Sequence, residues 1–378
     1  MKNIKSLLAA GTLVAGLGVS AFSLPTYAAT TISNMASYYD TSSGDYILPA
    51  GEYTLGANIN LDKRITINGA VTLNLNGKNI TTDEYVDAFS VQGGGSLTVN
   101  GDGQVSGHSS TNGDSTNKAT LVVNGGTFIG GEFGGAIDIY PNSAVTINGG
   151  SIRAGAQSAI YMYDYAGPST LTITGGELLS TGDNGIESEL EKAESGINVS
   201  GGTITGLKNG LGLSSTTGVK LSGGTFAYSN DGGGAIVILG EGAEGADINA
   251  LLVDGYEYSD SASATGTNEY DTPFVKLTAK SVTVRAKGSG TTPTTPTENN
   301  TTTPSSDKQK AMEEMSKEME KLIAKGTSTG STKKSTAKTT KVKAPNTGAT
   351  DGAKAASGLT VLIMATLAGG ALLLKKRG

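Results

Sequence analysis

Cysteine and tryptophan are absent from this chain of 378 residues, histidine occurs once, and proline occurs nine times. Without cysteine there is no disulfide framework and no thiol nucleophile, so a folded domain must depend on a packed core. The sequence also contains no zinc-binding motif, no P-loop and no EF-hand loop. We therefore expect no bound cofactor, with calcium held by carboxylates as the one alternative.

Glycine, in contrast, is abundant, with 56 residues. Seven glycines recur after 24, 24, 24, 26, 26 and 22 residues, each behind four residues that alternate apolar and polar: Gly77, Gly101, Gly125, Gly149, Gly175, Gly201 and Gly223. In five cycles a second glycine follows directly, and two further apolar stretches complete the period. Three short strands per period predict an all-β fold, a right-handed parallel β-helix (solenoid) of about seven or more coils of roughly 24 residues.

The first strand of each period predicts two inward apolar columns and one outward polar column, aligned by the leading glycines. The inward columns are Leu73, Leu97, Leu121, Val145, Leu171, Ile197 and Val219, and Leu75, Val99, Val123, Ile147, Ile173, Val199 and Leu221. The outward column is Asn76, Asn100, Asn124, Asn148, Thr174, Ser200 and Ser222. We expect this outward column to be a structural ladder of hydrogen bonds rather than a ligand site.

Composition divides the chain into six segments. Residues 1–28 have the pattern of a signal peptide cleaved after Ala28, since two lysines precede a short apolar run; an uncleaved anchor is the alternative. The following segments are an amino-terminal cap at 29–70, β-helix repeats at 71–245, a carboxyl-terminal cap at 246–287, a Thr/Pro/Lys-rich stem at 288–343 with one helix at 307–325, and the last segment at 344–378.

The last segment combines a short motif, an apolar span at 355–374 that is long enough to cross a bilayer, and a basic end. The motif is Ala344, Pro345, Asn346, Thr347 and Gly348. This order resembles the LPxTG cell-wall sorting signal of Gram-positive surface proteins, with alanine at the leucine position. The resemblance implies that a sortase cleaves between Thr347 and Gly348 and joins Thr347 to the peptidoglycan cross-bridge. A plain transmembrane anchor is the alternative.

Charge is distributed unevenly. Residues 30–287 carry 27 acidic side chains against 12 basic ones, whereas residues 288–347 carry 6 against 10. An acidic β-helix does not suit the phosphate backbone of a nucleic acid, which requires clustered lysine and arginine. We therefore expect no nucleic-acid partner.

The third strand of each period carries the candidate binding residues. Alternation around its apolar residues places tyrosines and carboxylates of three consecutive coils on one outer face. We call this set the stripe: Asp138, Tyr140, Tyr161, Tyr163, Asp164, Glu187 and Glu189. Tyrosine rings pack against sugar rings and carboxylates accept hydrogen bonds from hydroxyls, so the stripe is a candidate glycan-binding surface. Solubilising decoration of an exposed strand face is the alternative.

Catalysis finds less support in the sequence. The fold resembles pectin-lyase-like β-helices, whose lyases pair carboxylates with a basic residue, and no lysine or arginine falls on the stripe. The single histidine, His108, lies in the polar segment 106–116, which we interpret as an exposed loop. We therefore assign no catalytic residues.

Together these observations predict a secreted, wall-anchored surface protein that binds host or environmental polysaccharide without catalysis, as an adhesin. Two alternatives remain open. One is a polysaccharide lyase or glycoside hydrolase of the β-helix type, and the other is a passive coat or spacer protein.

Overall fold

The computed structural model describes residues 29–289 except Glu84, Glu132, Phe133 and Glu191. The predicted signal peptide, the stem helix at 307–325, the sorting motif and the apolar span at 355–374 lie outside these residues. Within the described part, no helix is long and apolar enough to cross a membrane.

The described chain is an all-β solenoid of about nine coils, and each regular coil contributes one strand to each of three sheets. This architecture confirms the predicted parallel β-helix. It forms because short runs of alternating residues, bounded by glycine corners, can bury one face only by stacking on the next coil.

The first sheet has nine strands: β1 (Thr30–Ile32), β3 (Gly51–Leu55), β6 (Ala70–Asn74), β9 (Ser96–Asn100), β12 (Ala119–Val123), β15 (Ser143–Ile147), β18 (Thr170–Ile173), β21 (Gly196–Val199) and β24 (Val219–Leu221). The second has ten: β4 (Ile59–Leu61), β7 (Lys78–Thr82), β10 (Gly103–Ser106), β13 (Thr127–Ile129), β16 (Ser151–Ala154), β19 (Glu177–Ser180), β22 (Thr203–Gly206), β25 (Thr225–Tyr228), β30 (Ser281–Ala286) and β27 (Tyr256–Tyr258).

The third sheet has eleven strands: β2 (Tyr46–Ile47), β5 (Ile65–Ile67), β8 (Phe89–Gln92), β11 (Ser109–Asn112), β14 (Ile137–Ile139), β17 (Ile160–Tyr163), β20 (Ile186–Glu189), β23 (Asn209–Leu213), β26 (Gly234–Leu239), β29 (Pro273–Leu277) and β28 (Ser263–Thr267). Short 3₁₀ turns occur at Ala36–Tyr38, Gly240–Ala243 and Ile248–Leu251.

The core consists of columns of like side chains, one per coil. From β9 to β24 the columns of the first sheet follow the predicted alignment, as in the pairs Leu97 with Leu121 and Val145 with Leu171. These side chains are at most 1 % exposed. The apolar columns therefore form one continuous core along the solenoid.

The first coil departs from the glycine alignment. Val71, not Leu73, pairs with Leu97, and Asn74, not Asn76, pairs with Asn100. Three residues separate Asn74 from Lys78 in this corner, whereas two separate their register partners Asn100 and Gly103. The predicted alignment of the first coil was therefore shifted by two residues, because its corner is one residue longer and continues into a different strand register.

The polar ladder exists, but over a shorter range than predicted. Asn124 Nδ2 donates to Asn100 Oδ1 at 2.8 Å, Asn148 Nδ2 donates to Asn124 Oδ1 at 2.8 Å, and Thr174 Oγ1 donates to Asn148 Oδ1 at 2.7 Å. Asn76 instead donates to the Leu55 carbonyl at 3.1 Å. Amides in register on the first sheet thus satisfy one another.

The two ends of the solenoid differ. Toward the amino terminus, strands β2 to β5 already continue the three sheets in parallel register, inside the segment that we interpreted as a cap. Toward the carboxyl terminus, β30 and β29 pair antiparallel with β25 and β26. Antiparallel pairing closes the last parallel edges of these two sheets, which would otherwise offer unpaired backbone groups to other chains.

Candidate functional site

The stripe lies on the outer face of the third sheet. Asp138, Tyr161 and Glu187 are register partners on β14, β17 and β20, and Tyr163 pairs with Glu189. The side chains between them, Ile139 and Met162, are fully buried. Alternation therefore turns six of the seven stripe residues outward, as the sequence pattern predicts.

Three tyrosine rings form a stack on this face. The ring centroids of Tyr140 and Tyr163 are 5.1 Å apart with an interplanar angle of 3°. Those of Tyr161 and Tyr163 are 4.2 Å apart at 20°. Because the rings hold one another in place, the surface that they present is preorganised for contact with another flat, apolar face.

Carboxylates border the tyrosine stack. The Tyr161 hydroxyl donates a hydrogen bond to the Glu189 carboxylate. Glu187 accepts a hydrogen bond from Ser158 Oγ at 2.7 Å. No described lysine, arginine or histidine forms an ion pair with Glu187 or Glu189. This end of the stripe therefore carries negative charge without a positive partner among the described side chains.

Partial burial and neighbouring charges keep the protons on these groups. Burial, followed by the charges of Asp138 and Asp87, raises the pKa of Tyr140 to about 12. Burial also raises the pKa of Tyr163, and burial together with the bond to Glu189 raises the pKa of Tyr161. Burial and the charges of nearby acids raise the pKa of Glu187, although the Ser158 bond opposes this shift. The tyrosine hydroxyls consequently remain neutral hydrogen-bond donors at physiological pH.

Asp164 stands apart from the other stripe residues. Its side chain is fully buried, and its Oδ2 accepts a hydrogen bond from the backbone N–H of Lys192 at 2.7 Å. A buried carboxylate in this position fastens the loop that follows β20 to the loop that follows β17. The structure thus places Asp164 inside the solenoid wall rather than on the candidate binding surface.

His108 is the residue that the sequence interpretation misplaced. It is not an exposed loop residue: its side chain is 18 % exposed and lies between two carboxylates. Its Nδ1 is 2.8 Å from Asp87 Oδ1, and its Nε2 is 3.2 Å from Asp138 Oδ2, within ion-pair distance but without hydrogen-bond alignment. A basic side chain therefore does adjoin the stripe at Asp138.

The charge state of His108 follows from this arrangement. Burial alone would lower its pKa, but the two carboxylates outweigh burial and raise the pKa to about 9. The imidazole is therefore protonated at neutral pH. It neutralises part of the acidic charge between Asp87 and Asp138 instead of acting as a free base.

The misplacement has a structural cause. The segment Ser109–Asn112 is strand β11, whose residues pair with β8 on one side and β14 on the other. Ser109 and Thr111 face inward and are buried, in columns that hold phenylalanine, valine and isoleucine in the adjacent coils. Inward hydroxyls hide the apolar alternation. Register counting from Phe89 to Ser109, 20 residues, is the signal that could have found this strand.

A groove on the same face extends the stripe toward the amino terminus. It has a volume of about 650 Å³, and its lining includes Gln92, His108, Ser110, Asn112 and Tyr140. A second groove of about 590 Å³ shares Arg64, Asn68 and Gln92 with the first. Tyr140 belongs to both the groove and the tyrosine stack, so the two surfaces are continuous. Sequence reasoning missed the groove.

A metal site finds no support in residues 29–289 as described. No cluster of three or more histidine, aspartate or glutamate side chains there has the geometry to hold an ion. The arrangement offers stacking surfaces, neutral hydroxyl donors and carboxylate acceptors. Such groups suit the recognition of a hydroxyl-rich ligand with apolar ring faces.

Comparisons with protein families, with curated proteins and with solved structures find no match to this chain.

Proposed function

We propose that this protein is a noncatalytic glycan-binding protein of the bacterial surface, in which the third-sheet stripe is the binding surface. The observation that carries the proposal is the stack of Tyr140, Tyr163 and Tyr161. A sugar ring offers one flat apolar face and a rim of hydroxyls. The stacked rings match the face, while Asp138, Glu187 and Glu189 can accept hydrogen bonds from the rim.

A glycan array tests this proposal. The full-length chain is applied to immobilised neutral, acidic and amino-sugar glycans, with and without calcium. Binding to a defined glycan class is expected, and the double variant Tyr161→Ala, Tyr163→Ala should lose it, since the stacking surface is removed. Tyr270→Ala is the matched control, because Tyr270 is 79 % exposed on the antiparallel hairpin outside the stripe. Unchanged binding by the double variant would eliminate the stripe as the site.

The surface location is part of the same proposal. The signal-peptide pattern of residues 1–28 supports export, and the motif from Ala344 to Gly348 supports transfer by a sortase to a peptidoglycan cross-bridge at Thr347. Wall-digesting enzymes should release a chain that ends at Thr347. Recovery of a full-length chain only by detergent extraction of membranes would favour the transmembrane anchor instead.

A second candidate function, a polysaccharide-cleaving enzyme, gains one observation from the structure. His108 places a protonated imidazole beside Asp138, next to Tyr140. With a pKa of about 9, this imidazole is a proton donor at neutral pH rather than a base. Incubation with acidic and neutral polysaccharides, followed by measurement of unsaturated and reducing ends, decides between the candidates. Turnover that is lost in His108→Gln would replace binding with catalysis.

A further inference from the structure

Three exposed amide side chains line the groove next to the stripe, and they lie in one column. Gln92 and Asn112 are register partners on β8 and β11. Asn68 directly follows Ile67, which pairs with Val91, the residue before Gln92. All three line the groove of about 650 Å³. We refer to Asn68, Gln92 and Asn112 as the amide column.

The amide column differs from the ladder on the first sheet in one respect. Asn100, Asn124 and Asn148 bond to one another through their side chains. The side chains of the amide column form no hydrogen bond with any residue in the described part of the chain. Each therefore presents one carbonyl acceptor and two N–H donors to the groove. Stacked amides that do not satisfy one another remain available to a ligand.

The column leads directly into the tyrosine stack. The Tyr140 backbone N–H donates to the Thr111 carbonyl at 2.8 Å, so Tyr140 stands on the coil after Asn112. Tyr140 stacks on Tyr163, which pairs in turn with Glu189. Neighbouring strands are about 4.8 Å apart. Binding groups thus recur along the solenoid axis at about the length of one sugar ring, over successive coils.

The charges in the groove are largely balanced. Arg64 Nε lies 2.8 Å from Asp45 Oδ2, and His108 lies between Asp87 and Asp138. Asp114 is also in the groove lining, where its carboxylate accepts bonds from the backbone of residues 116 and 117. At the other end, Glu187 and Glu189 add negative charge. This pattern gives no attraction to a polyanion and leaves hydrogen bonding to hydroxyls as the main polar interaction.

We propose that the ligand is a linear, uncharged polysaccharide that lies along the solenoid axis, with its chain in the groove over the amide column and its end or continuation on the tyrosine stack. This inference rests on the proposed glycan-binding function and extends it. It makes the protein a reader of polymer segments rather than of single terminal sugars.

Oligosaccharides of graded length test the inference on the full-length chain. The probes are cello-oligosaccharides and manno-oligosaccharides from disaccharide to octasaccharide, with oligogalacturonides of equal lengths as anionic counterparts. We expect affinity for at least one neutral series to rise with length until the groove is filled, and the anionic series to bind at least about tenfold more weakly, which corresponds to 1.4 kcal/mol.

Variants separate the groove from the stripe. Gln92→Ala combined with Asn112→Ala should weaken binding of the longest neutral oligomers by about tenfold and leave the shortest ones unchanged. Tyr161→Ala combined with Tyr163→Ala should weaken all lengths. Asn198→Ala, which removes an exposed amide from β21 on the first sheet, is the matched control.

The outcomes are distinguishable. Length-independent binding that the groove variant does not change would overturn the inference and leave the stripe as a site for terminal sugars. Preferred binding of the oligogalacturonides would overturn the uncharged ligand class. If no series binds, and the array is also negative, the inference and the proposed function fail together, in favour of a spacer protein.

Discussion

Each corner between the first and second sheets uses two adjacent glycines for different reasons. In the pair Gly149 and Gly150, a β-carbon on Gly149 would lie 2.9 Å from the Asn124 carbonyl oxygen of the previous coil. Gly150 has φ of +80°, which disfavours side chains, and its β-carbon would lie 2.4 Å from the Gly126 carbonyl oxygen. The first glycine allows close stacking of coils, and the second allows the turn itself.

Replacing Gly150 therefore tests strain and close contact together. The left-handed conformation costs an alanine about 1–2 kcal/mol, and displacement of the neighbouring coil adds a similar amount, so Gly150→Ala should lower the free energy of unfolding by about 3 kcal/mol. Gly232→Ala is the control, since Gly232 has φ of +93° but open space around it. Urea denaturation measures both. Equal losses in the two variants would show that coil stacking contributes nothing at this position.

His108 gives the stability of the solenoid a defined pH dependence. Its pKa is about 9 in the folded chain against 6.5 for a free imidazole. A raised pKa means that the protonated side chain stabilises the fold fully below about pH 6.5, and that this contribution is lost as pH rises through 9. The shift corresponds to a contribution on the order of 2–3 kcal/mol.

The variant His108→Gln should lack this titration. Between about pH 6 and about pH 10, the unfolding free energy of the unsubstituted chain should fall toward that of the variant, leaving a difference that shrinks with rising pH. Urea denaturation at a series of pH values supplies the measurement. A constant difference across the range would mean that His108 does not change its charge as the ion pairs with Asp87 and Asp138 require.

At the scale of single strands, β11 shows how an irregular element fits a regular stack. Thr111 is fully buried between Val91 and Ile139, and its hydroxyl has no hydrogen-bond partner. Ser109 is in the same situation between Phe89 and Ile137. An unpaired buried hydroxyl costs stability, so β11 is held by its two neighbours rather than by its own side chains.

Thr111→Val removes the unpaired hydroxyl and keeps the shape of the side chain. The variant should therefore be more stable, with a gain of about 1 kcal/mol in the free energy of unfolding, because valine continues the column of Val91 and Ile139. Thermal unfolding followed by circular dichroism detects the change. Ser110→Ala, on the outward side of the same strand, serves as the comparison and should change stability less. A clear loss of stability in Thr111→Val would show that the hydroxyl is bonded in the folded protein.

The same strand explains how much of the fold the sequence could predict. Strands β12 to β26 follow the glycine period, because their apolar alternation and their corners coincide. Strand β11 does not, since 20 residues separate Phe89 from Ser109 and 28 separate Ser109 from Ile137. Two unequal coils average to the regular period, so glycine spacing passes over the irregularity. The missed strand carried with it the true position of His108 and the groove beside it.

At the scale of the whole described chain, the third sheet is where stacking turns local sequence into a surface. The stripe was predictable because alternation alone sends Asp138, Tyr161 and Glu187 outward. The amide column was not, because Gln92 and Asn112 come together only through the register of coils of unequal length. Burial of Asp164 was also hidden, since the strand pattern ends at Tyr163 and the loop that follows folds back into the wall.

The central claim is that the tyrosine stack contacts a glycan, and tyrosine-ring NMR tests it most directly. The full-length chain is labelled only in tyrosine, which occurs 14 times, and is titrated with the glycan that binds best on the array. Tyrosine-to-phenylalanine variants assign the ring signals. We predict that the ring resonances of Tyr140, Tyr161 and Tyr163 shift together and saturate with one affinity, while the buried rings of Tyr228 and Tyr258 do not move. Saturable binding that leaves those three resonances unchanged, or that shifts tyrosines away from the third sheet instead, would contradict the account.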